Sequence, residues 1–198
     1  VMLGPSAHVD TFARDNLPPP DLWPEFNLAG FDYPERLNAG WELTDGMVEK
    51  GFGDHTALIG NGRLRTYKEL SDWTNRLAHV LVEDLGVKPG NRVLIRSANN
   101  PAMVACWLAA TKVGAVVVNT MPMLRAAELR TYVELAEITH ALCDTRLMDE
   151  MVSCAKDSAT LTSVVGFDGT SNHDAELDRL ALEKPVRFTS VPTGRDDV

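Results

Sequence analysis

The length, composition and charge of the chain limit what kind of protein it is. It has 198 residues, 44% of them hydrophobic, and a formal net charge of −9. This size and apolar content predict a soluble globular chain with one sizeable core. The acidic balance, with no run of Lys and Arg, disfavours sequence-independent binding to nucleic acid or to anionic membranes. Three widely spaced cysteines, Cys106, Cys143 and Cys154, favour free thiols in the cytoplasm over a disulfide framework.

Neither a signal peptide nor a membrane span is predicted. The N-terminus turns polar before an apolar run of signal-peptide length can form. The longest apolar stretch, residues 102–118, contains Lys112 and Gly114 and falls short of the roughly 20 residues that a span requires. We therefore expect no membrane partner.

The first 50 residues predict an irregular arm followed by a helix. Prolines punctuate the arm, so regular structure is expected to be sparse there. A helical stripe then ends at Gly51-Phe52-Gly53. We divide the chain into a Pro-rich arm and helix, 1–50, packed on an α/β domain, 51–198. Dense aromatic residues indicate that the arm lies on the domain: Trp23, Phe26, Phe31 and Tyr33.

A β-hairpin and a capped helix are predicted next. Asn61-Gly62 supplies the positive φ angles of a tight turn between residues 57–59 and 63–65. Thr66 and Glu69 form a capping box that starts a helix, and Gly86 ends it. The predicted buried face is Leu70, Trp73, Leu77, Val80 and Leu81, and the predicted solvated face is Lys68, Asp72, Asn75, Arg76, His79 and Glu83.

Strand and helix patterns alternate through the rest of the chain. This alternation predicts the α/β class, with a mainly parallel sheet and right-handed crossover helices in addition to the N-terminal hairpin. The strands are expected at 92–96, 116–119, 140–143 and 163–167, and the helices at 101–113, 125–136, 146–155 and 175–182.

Two loops leave the predicted carboxyl ends of strands, where parallel sheets bind ligands. The loop after the first parallel strand offers Asn99 and Asn100, although Asn100 also reads as a simple helix cap. The loop after the second offers Thr120, Met121 and Arg125, although methionines in this position are usually core packing. These five residues are the candidates for the wall of a substrate channel.

No catalytic or metal-binding constellation accompanies them. The histidines have no metal-site spacing, and no serine stands in a nucleophile elbow. Cys106 lies in an apolar helix, where a thiol behaves as a small hydrophobe. A solvated first helical turn is expected to hold Asp144, Asp149 and Glu150, because acidic side chains there interact favourably with the helix dipole. Neither a Walker loop nor a dinucleotide fingerprint occurs. From these patterns alone the chain is a soluble α/β domain.

Three motifs together resemble the adenylate-forming ligases. Thr66-Tyr67-Lys68-Glu69-Leu70 is similar to the first core motif of that family, and residues 108–118, LAATKVGAVVV, are similar to the next. Residues 120–129, TMPMLRAAEL, with residues 5–19, PSAHVDTFARDNLPP, resemble the benzoate and 2-aminobenzoate CoA ligase branch. The resemblance covers essentially the whole chain and implies the N-terminal portion of the adenylate-forming ligase fold.

The resemblance implies a two-step reaction in a parent enzyme. An aryl carboxylate and ATP give an acyl-adenylate and pyrophosphate, and CoA then displaces AMP to give an aryl thioester. The family's Ser/Thr/Gly-rich loop ending in Pro-Lys and its later ATP, Mg²⁺ and CoA motifs do not occur here. We therefore expect no catalytic residue and no cofactor in this fragment, and regard Thr66, Glu69 and Gly114 as scaffold.

The expected truncation has a consequence for assembly. If the parent's sheet continues beyond Val198, an apolar edge is left uncovered, which predicts a homodimer through that surface. The alternative reading of the chain is a stand-alone, non-catalytic binding or interaction module derived from the same fold. An unrelated flavodoxin-like regulatory domain would require the three motif matches to be chance.

Overall fold

The computed structural model describes residues 3–25, 30–170 and 174–197, which fold as an α/β protein. An antiparallel hairpin precedes a four-stranded sheet. The hairpin strands are β1, Thr56–Gly60, and β2, Arg63–Thr66. The strands of the larger sheet are β3, Arg92–Arg96; β4, Val116–Thr120; β5, His140–Asp144; and β6, Ser163–Phe167.

Helices connect and cover these strands. Short 3-10 turns occur at Pro20–Leu22 and Thr145–Leu147, and wider helical turns at Val48–Phe52 and Val80–Asp84. The α-helices are α1, Phe12–Asp15; α2, Ala39–Glu42; α3, Asp45–Met47; α4, Tyr67–His79; α5, Pro101–Lys112; α6, Ala126–Leu135; α7, Met148–Lys156; and α8, Glu176–Leu182.

The hairpin and the start of α4 confirm the predicted local signals. Asn61 and Gly62 have φ angles of 51° and 72°, as a tight turn between β1 and β2 requires. The Thr66 hydroxyl accepts from the Glu69 amide, and the Glu69 carboxylate accepts from the Thr66 amide. Gly86, with a φ of 71°, follows the helix end as expected.

One residue of α4 lies on the wrong side of the predicted boundary. Asn75 was expected on the solvated face, yet it is 2% exposed. Its side-chain amide donates to Asp45 at 2.8 Å and to the Val186 carbonyl at 3.0 Å, and its oxygen accepts from Lys112. The helical stripe missed it because polar partners from distant segments, not water, satisfy its amide.

The four-stranded sheet is parallel throughout, with the order β4-β3-β5-β6. The two central strands are buried along their whole length, whereas β4 and β6 form the edges. This arrangement confirms the predicted parallel α/β sheet. Continuous apolar runs such as 93–95 arise because both faces of the central strands are covered.

Alternate residues of β3 enter two separate cores. Val93 and Ile95 pack with α4, α5 and α8, and Leu94 packs with α6 and α7 on the opposite face. In β5, Leu142 joins the first core and Ala141 the second. Consequently α5 and α8 cover one face of the sheet, and α6 and α7 cover the other.

Polar contacts hold the N-terminal segment against the sheet. The buried Arg92, at the start of β3, donates to Asp10 at 2.5 Å, and its guanidinium lies 4.3 Å from the centroid of the Phe12 ring. Asp197 accepts from the Ser6 hydroxyl at 2.5 Å and from the Ala7 amide at 3.0 Å. These contacts join the N-terminal segment to the base of the sheet and to residues near the other end of the chain.

Two of the aromatic residues that were expected to pack the N-terminal arm onto the rest of the protein are largely exposed. Phe31 and Tyr33 stack on each other with centroids 5.9 Å apart, but they are 64% and 44% exposed. Phe26 lies outside the described residues. The domain division at residue 50 stays a prediction. In the described ranges, no helix is long and apolar enough to cross a membrane.

Candidate functional site

The two central strands open a crevice at the carboxyl edge of the sheet. The chain leaves β3 for α5 on one face and leaves the neighbouring β5 for α7 on the other. Adjacent strands whose connections run to opposite faces form a topological switch point, where α/β folds preferentially bind ligands. The edge that the sequence indicated is therefore the right place to look for a site.

A polar group fills this crevice, and we call Ser97, Asn100, Asp144 and Arg146 the crevice cluster. Asn100 donates to the Ser97 hydroxyl at 2.9 Å, and Ser97 donates to Asp144 at 3.4 Å. The Arg146 guanidinium donates to both carboxylate oxygens of Asp144, at 3.0 and 2.6 Å. The cluster joins the loop after β3 to the loop after β5.

Asp144 is the centre of the cluster and corrects a sequence expectation. It was expected in a solvated first turn, but it is 0% exposed. Burial raises the pKa of its carboxyl, but hydrogen bonds from the side chain and amide of Arg146 outweigh burial and hold the pKa below its ordinary value. Asp144 is therefore a buried carboxylate whose charge Arg146 compensates.

Gly169 closes the crevice from the loop after β6. A Cβ at this position would overlap the Asp144 carboxylate and the Arg146 guanidinium. The hairpin reaches the same loop, because the Asn61 side chain donates to the Gly169 carbonyl at 2.9 Å. Glycine is required here because the loop backbone passes directly over the ion pair.

The five predicted channel residues divide into two groups. Asn99 is exposed. Asn100 caps α5 by accepting from the Met103 amide at 2.9 Å, so the cap reading is confirmed, and it also belongs to the crevice cluster. Thr120, Met121 and Arg125 lie together in and beside the loop after β4.

The expectation that this loop packs its methionines into the core is wrong. Met121 is 59% exposed and Met123 is 76% exposed. Thr120 is buried, and its hydroxyl bonds the Ile95 carbonyl at 3.5 Å. The exposed Arg125 pairs with Glu150 at 2.8 Å, and that hydrogen bond lowers the pKa of Glu150. A ligand role for the five residues stays a prediction.

Sequence reasoning missed two buried polar residues at this edge, Asp144 and Arg96. Both occupy the last position of a strand, so the rule that selected Asn99 and Thr120 also applies to them. The hydrophobic pattern did not predict their burial, because a charged residue at the end of an apolar run normally marks the solvent-exposed end of a strand. Their position at the carboxyl ends of two parallel strands was the feature of the sequence that could have identified them as site residues.

The crevice cluster does not fit a nucleotide phosphate. Its carboxylate would repel a phosphate, and the Arg146 guanidinium is already committed to Asp144. In the part of the chain that the structure describes, no group of three His, Cys, Asp or Glu side chains could hold a metal ion. The three thiols are free and buried, and burial raises the pKa of Cys143 to about 12 and that of Cys106 further still.

Comparison with known proteins identifies the family to which this scaffold belongs. Residues 48–198 match the family model described as "AMP-binding enzyme". The chain belongs to the AMP-binding enzyme family. The resemblance of residues 66–70 and 108–118 to the adenylate-forming ligases is therefore confirmed, and the chain's relatives include a 3-hydroxybenzoate–CoA ligase. The assignment of residues 120–129 to the benzoate and 2-aminobenzoate branch stays a prediction.

Relatives of this AMP-binding chain are much longer than it. A 3-hydroxybenzoate–CoA ligase of Aromatoleum sp. (strain CIB) is 27% identical over 82% of the chain, which spans 31% of that enzyme. A salicylyl-CoA synthase/salicylate adenylyltransferase of a Streptomyces species is 32% identical over 68% of the chain, which spans 25% of it. The fold matches an anthranilate CoA ligase crystallised with anthranoyl-AMP, with a TM-score of 0.75 and 19% identity, over 84% of the chain and 31% of that structure.

Proposed function

We propose that this chain forms the N-terminal part of an ATP-dependent aryl-acid CoA ligase. In this reaction the aryl carboxylate displaces pyrophosphate from ATP to give an acyl-adenylate. The thiol of CoA then displaces AMP to give the aryl-CoA thioester. The observation that carries the proposal is the family match over residues 48–198, which gives the chain the scaffold of an AMP-binding enzyme.

The proposed acid is benzoate or 2-aminobenzoate. Residues 5–19 and 120–129 resemble that branch, and the names of three relatives specify hydroxylated or aminated benzoates as their substrates. These acids differ by one small polar group. The support is therefore for an aromatic acid as a class, and the assay must compare ring substituents.

We assign this part of the enzyme a scaffolding role and no catalytic residue. Its motif positions have structural duties, since Thr66 and Glu69 cap α4 and Gly114, with a φ of 74°, ends α5. ATP, Mg²⁺ and CoA are proposed as ligands of the whole enzyme and not of this part of it. Free, buried cysteines support our placement of the protein in the cytoplasm.

The test is to translate the source reading frame past Val198 and assay its complete product. We expect pyrophosphate release that requires ATP and an aryl acid, with benzoate and 2-aminobenzoate preferred over acetate. The 198-residue chain, assayed in parallel, is expected to be inactive. A complete product without aryl-acid-dependent release would contradict the proposal, and an in-frame stop would favour the stand-alone binding module.

A further inference from the structure

The turn of the hairpin presents an asparagine followed by a glycine to solvent. Asn61 and Gly62 are both exposed and occupy the two central positions of the turn, with φ angles of 51° and 72°. The strand ladder closes at Gly60 and Arg63, so neither residue belongs to it. Over the residues that the structure describes, the Gly62 amide donates to no backbone carbonyl. The backbone nitrogen of Gly62 is therefore held by neither strand.

An asparagine side chain can be attacked by the backbone nitrogen of the residue that follows it. In this reaction the Gly62 nitrogen bonds to Cγ of Asn61, the Cγ–Nδ2 bond breaks, and ammonia leaves with the proton of the Gly62 amide. Water then opens the cyclic imide at either of its two carbonyls, which yields isoaspartate or aspartate. Glycine favours the attack because it has no side chain to crowd the nitrogen. Asn61-Gly62 is the one Asn-Gly pair in the sequence.

The Asn61 side chain also ties the hairpin to the loop after β6. Its Nδ2 donates to the carbonyl of Gly169 at 2.9 Å, across 108 residues of sequence. Gly169 is buried, and its backbone passes directly over the Asp144–Arg146 pair. The nitrogen that makes this tie is the nitrogen that deamidation expels. The modification therefore removes the donor of a bond between two distant parts of the fold.

Neither product of the reaction can replace the lost bond. A carboxylate has only acceptor atoms at neutral pH, so it repels the Gly169 carbonyl instead of donating to it. The loop already carries the Asp168 carboxylate, which accepts from the Thr170 amide at 2.7 Å, and a further negative charge nearby is unfavourable. Isoaspartate also adds one carbon to the backbone of a two-residue turn, and the register of a hairpin depends on that length.

We propose that Asn61 is a deamidation site whose conversion releases the loop after β6 from the hairpin. The proposal is independent of the ligase reaction and adds a modification site to the scaffold. The folded turn and the bond to Gly169 restrain the asparagine, so the reaction proceeds when this tie opens by local fluctuation. Because ammonia is lost, the release is one-way, and an opened loop does not regain its original contact.

The first experiment incubates the 198-residue chain in mildly alkaline buffer and maps its peptides by mass spectrometry, with isoaspartyl methyltransferase to mark isoaspartate. We expect both products to accumulate at position 61 several-fold faster than at Asn16 or Asn99, which are also exposed but do not precede a glycine. A synthetic peptide of residues 56–66 measures the reactivity of the free sequence. Conversion of this peptide while Asn61 stays unmodified in the folded chain would overturn the assignment.

The second experiment measures hydrogen exchange of the loop amides, residues 168–170, in Asn61→Asp, which places the aspartate product in the chain directly. Loss of one ordinary hydrogen bond should raise their exchange about fivefold. Asn61→Gly removes the side chain without adding a charge and should show part of this increase. Asn16→Asp is the matched control, because the Asn16 side chain also donates to a backbone carbonyl, that of Phe12 at 2.9 Å, but on the N-terminal segment. It should leave the exchange of the loop unchanged.

Two outcomes of the exchange measurement would overturn the release of the loop. One is an unchanged exchange rate in Asn61→Asp, and the other is an equal increase in Asn16→Asp, which would reflect added charge alone. If Asn61→Asp does not fold, aged wild-type chain separated into modified and unmodified fractions gives the same comparison. Ligase activity in a complete product affects neither experiment, so this inference and the proposed function can fail separately.

Discussion

Lys112 donates a 2.5 Å hydrogen bond to Asp45, across 67 residues of sequence. The lysine is 0% exposed, and its ammonium also donates to the Asn75 oxygen at 2.5 Å. Burial lowers the pKa of Lys112, and the hydrogen bond from its ammonium to Asp45 opposes that shift. The pair joins the last residue of α5 to the first residue of α3, and so holds these two helices together.

Replacing Asp45 by Ala should destabilise the chain by about 3–5 kcal/mol, because it leaves the Lys112 ammonium buried without its counter-ion. Urea unfolding measures the change. Glu42→Ala is the matched control, since it removes the partner of Lys50 from a solvent-exposed pair and should cost less than about 1 kcal/mol. Equal losses of unfolding free energy in the two variants would show that the buried Lys112–Asp45 pair stabilises the fold no more than an exposed pair does.

Stability should fall in acid, partly through Asp45. Burial raises the pKa of its carboxyl, but hydrogen bonds from Lys112 and Asn75 hold the folded-state pKa below the ordinary 3.8. The unfolded chain therefore binds the proton more readily. This contribution is fully present above the unfolded-state pKa and is lost as pH falls through the folded-state value. Urea midpoints measured from pH 6 downwards should decline below about pH 4, and a decline of equal steepness in Asp45→Asn would contradict the assignment.

Gly169→Ala should destabilise the crevice by about 1–3 kcal/mol, because the added methyl overlaps the Asp144–Arg146 pair. Gly53→Ala is the control. Its Cβ would meet only ordinary contacts, the nearest at 3.6 Å, so it should be neutral or slightly stabilising. Thermal unfolding of both variants tests the difference, and a neutral Gly169→Ala would show that the loop moves away without cost.

The 198-residue chain should bind no ATP at millimolar nucleotide. It has no Ser/Thr/Gly-rich loop ending in Pro-Lys, and the buried Asp144 would repel a phosphate at the crevice. Calorimetric titration measures this directly. Saturable heat with ATP would mean that the described scaffold contains a nucleotide site that its charges do not indicate.

The chain should self-associate through β4. In the described sheet this strand pairs only with β3, and an open edge strand favours pairing with another chain. Sedimentation should therefore show a mass that rises with concentration. Asn119→Lys places a charge at an exposed position of this edge and should weaken the association, whereas Thr131→Lys makes the same change on the exposed surface of α6. A concentration-independent monomer would contradict the prediction.

Local signals predicted the elements well. The Asn61-Gly62 turn, the Thr66–Glu69 capping box and the Asn100 cap each depend on residues within three positions of one another, so their geometry is readable from the chain alone. The strands at 92–96 and 163–167 have the predicted bounds, because an apolar run has the same length in sequence and in the sheet.

The candidate site was less predictable. Asn100 was identified at the right edge of the sheet, but Asp144 and Arg96 were missed. Each is charged and buried, and some of the hydrogen bonds that replace its contacts with water come from segments far along the chain. Examples are the bond from Ser97 to Asp144 and the bond from Arg96 to the Leu124 carbonyl. Met121 and Met123 show the converse, because they are apolar and largely exposed.

The sequence by itself determined the α/β class, the order of the elements and the family, because all three depend on local periodicity and short motifs. Only the tertiary structure decided which polar groups are buried. The local sequence is compatible with either a buried or a solvated side chain at four polar positions: Asn75, Arg96, Lys112 and Asp144. Their burial depends on whether a distant carboxylate, amide or carbonyl replaces water as the hydrogen-bond partner, and that replacement exists only after the chain has folded.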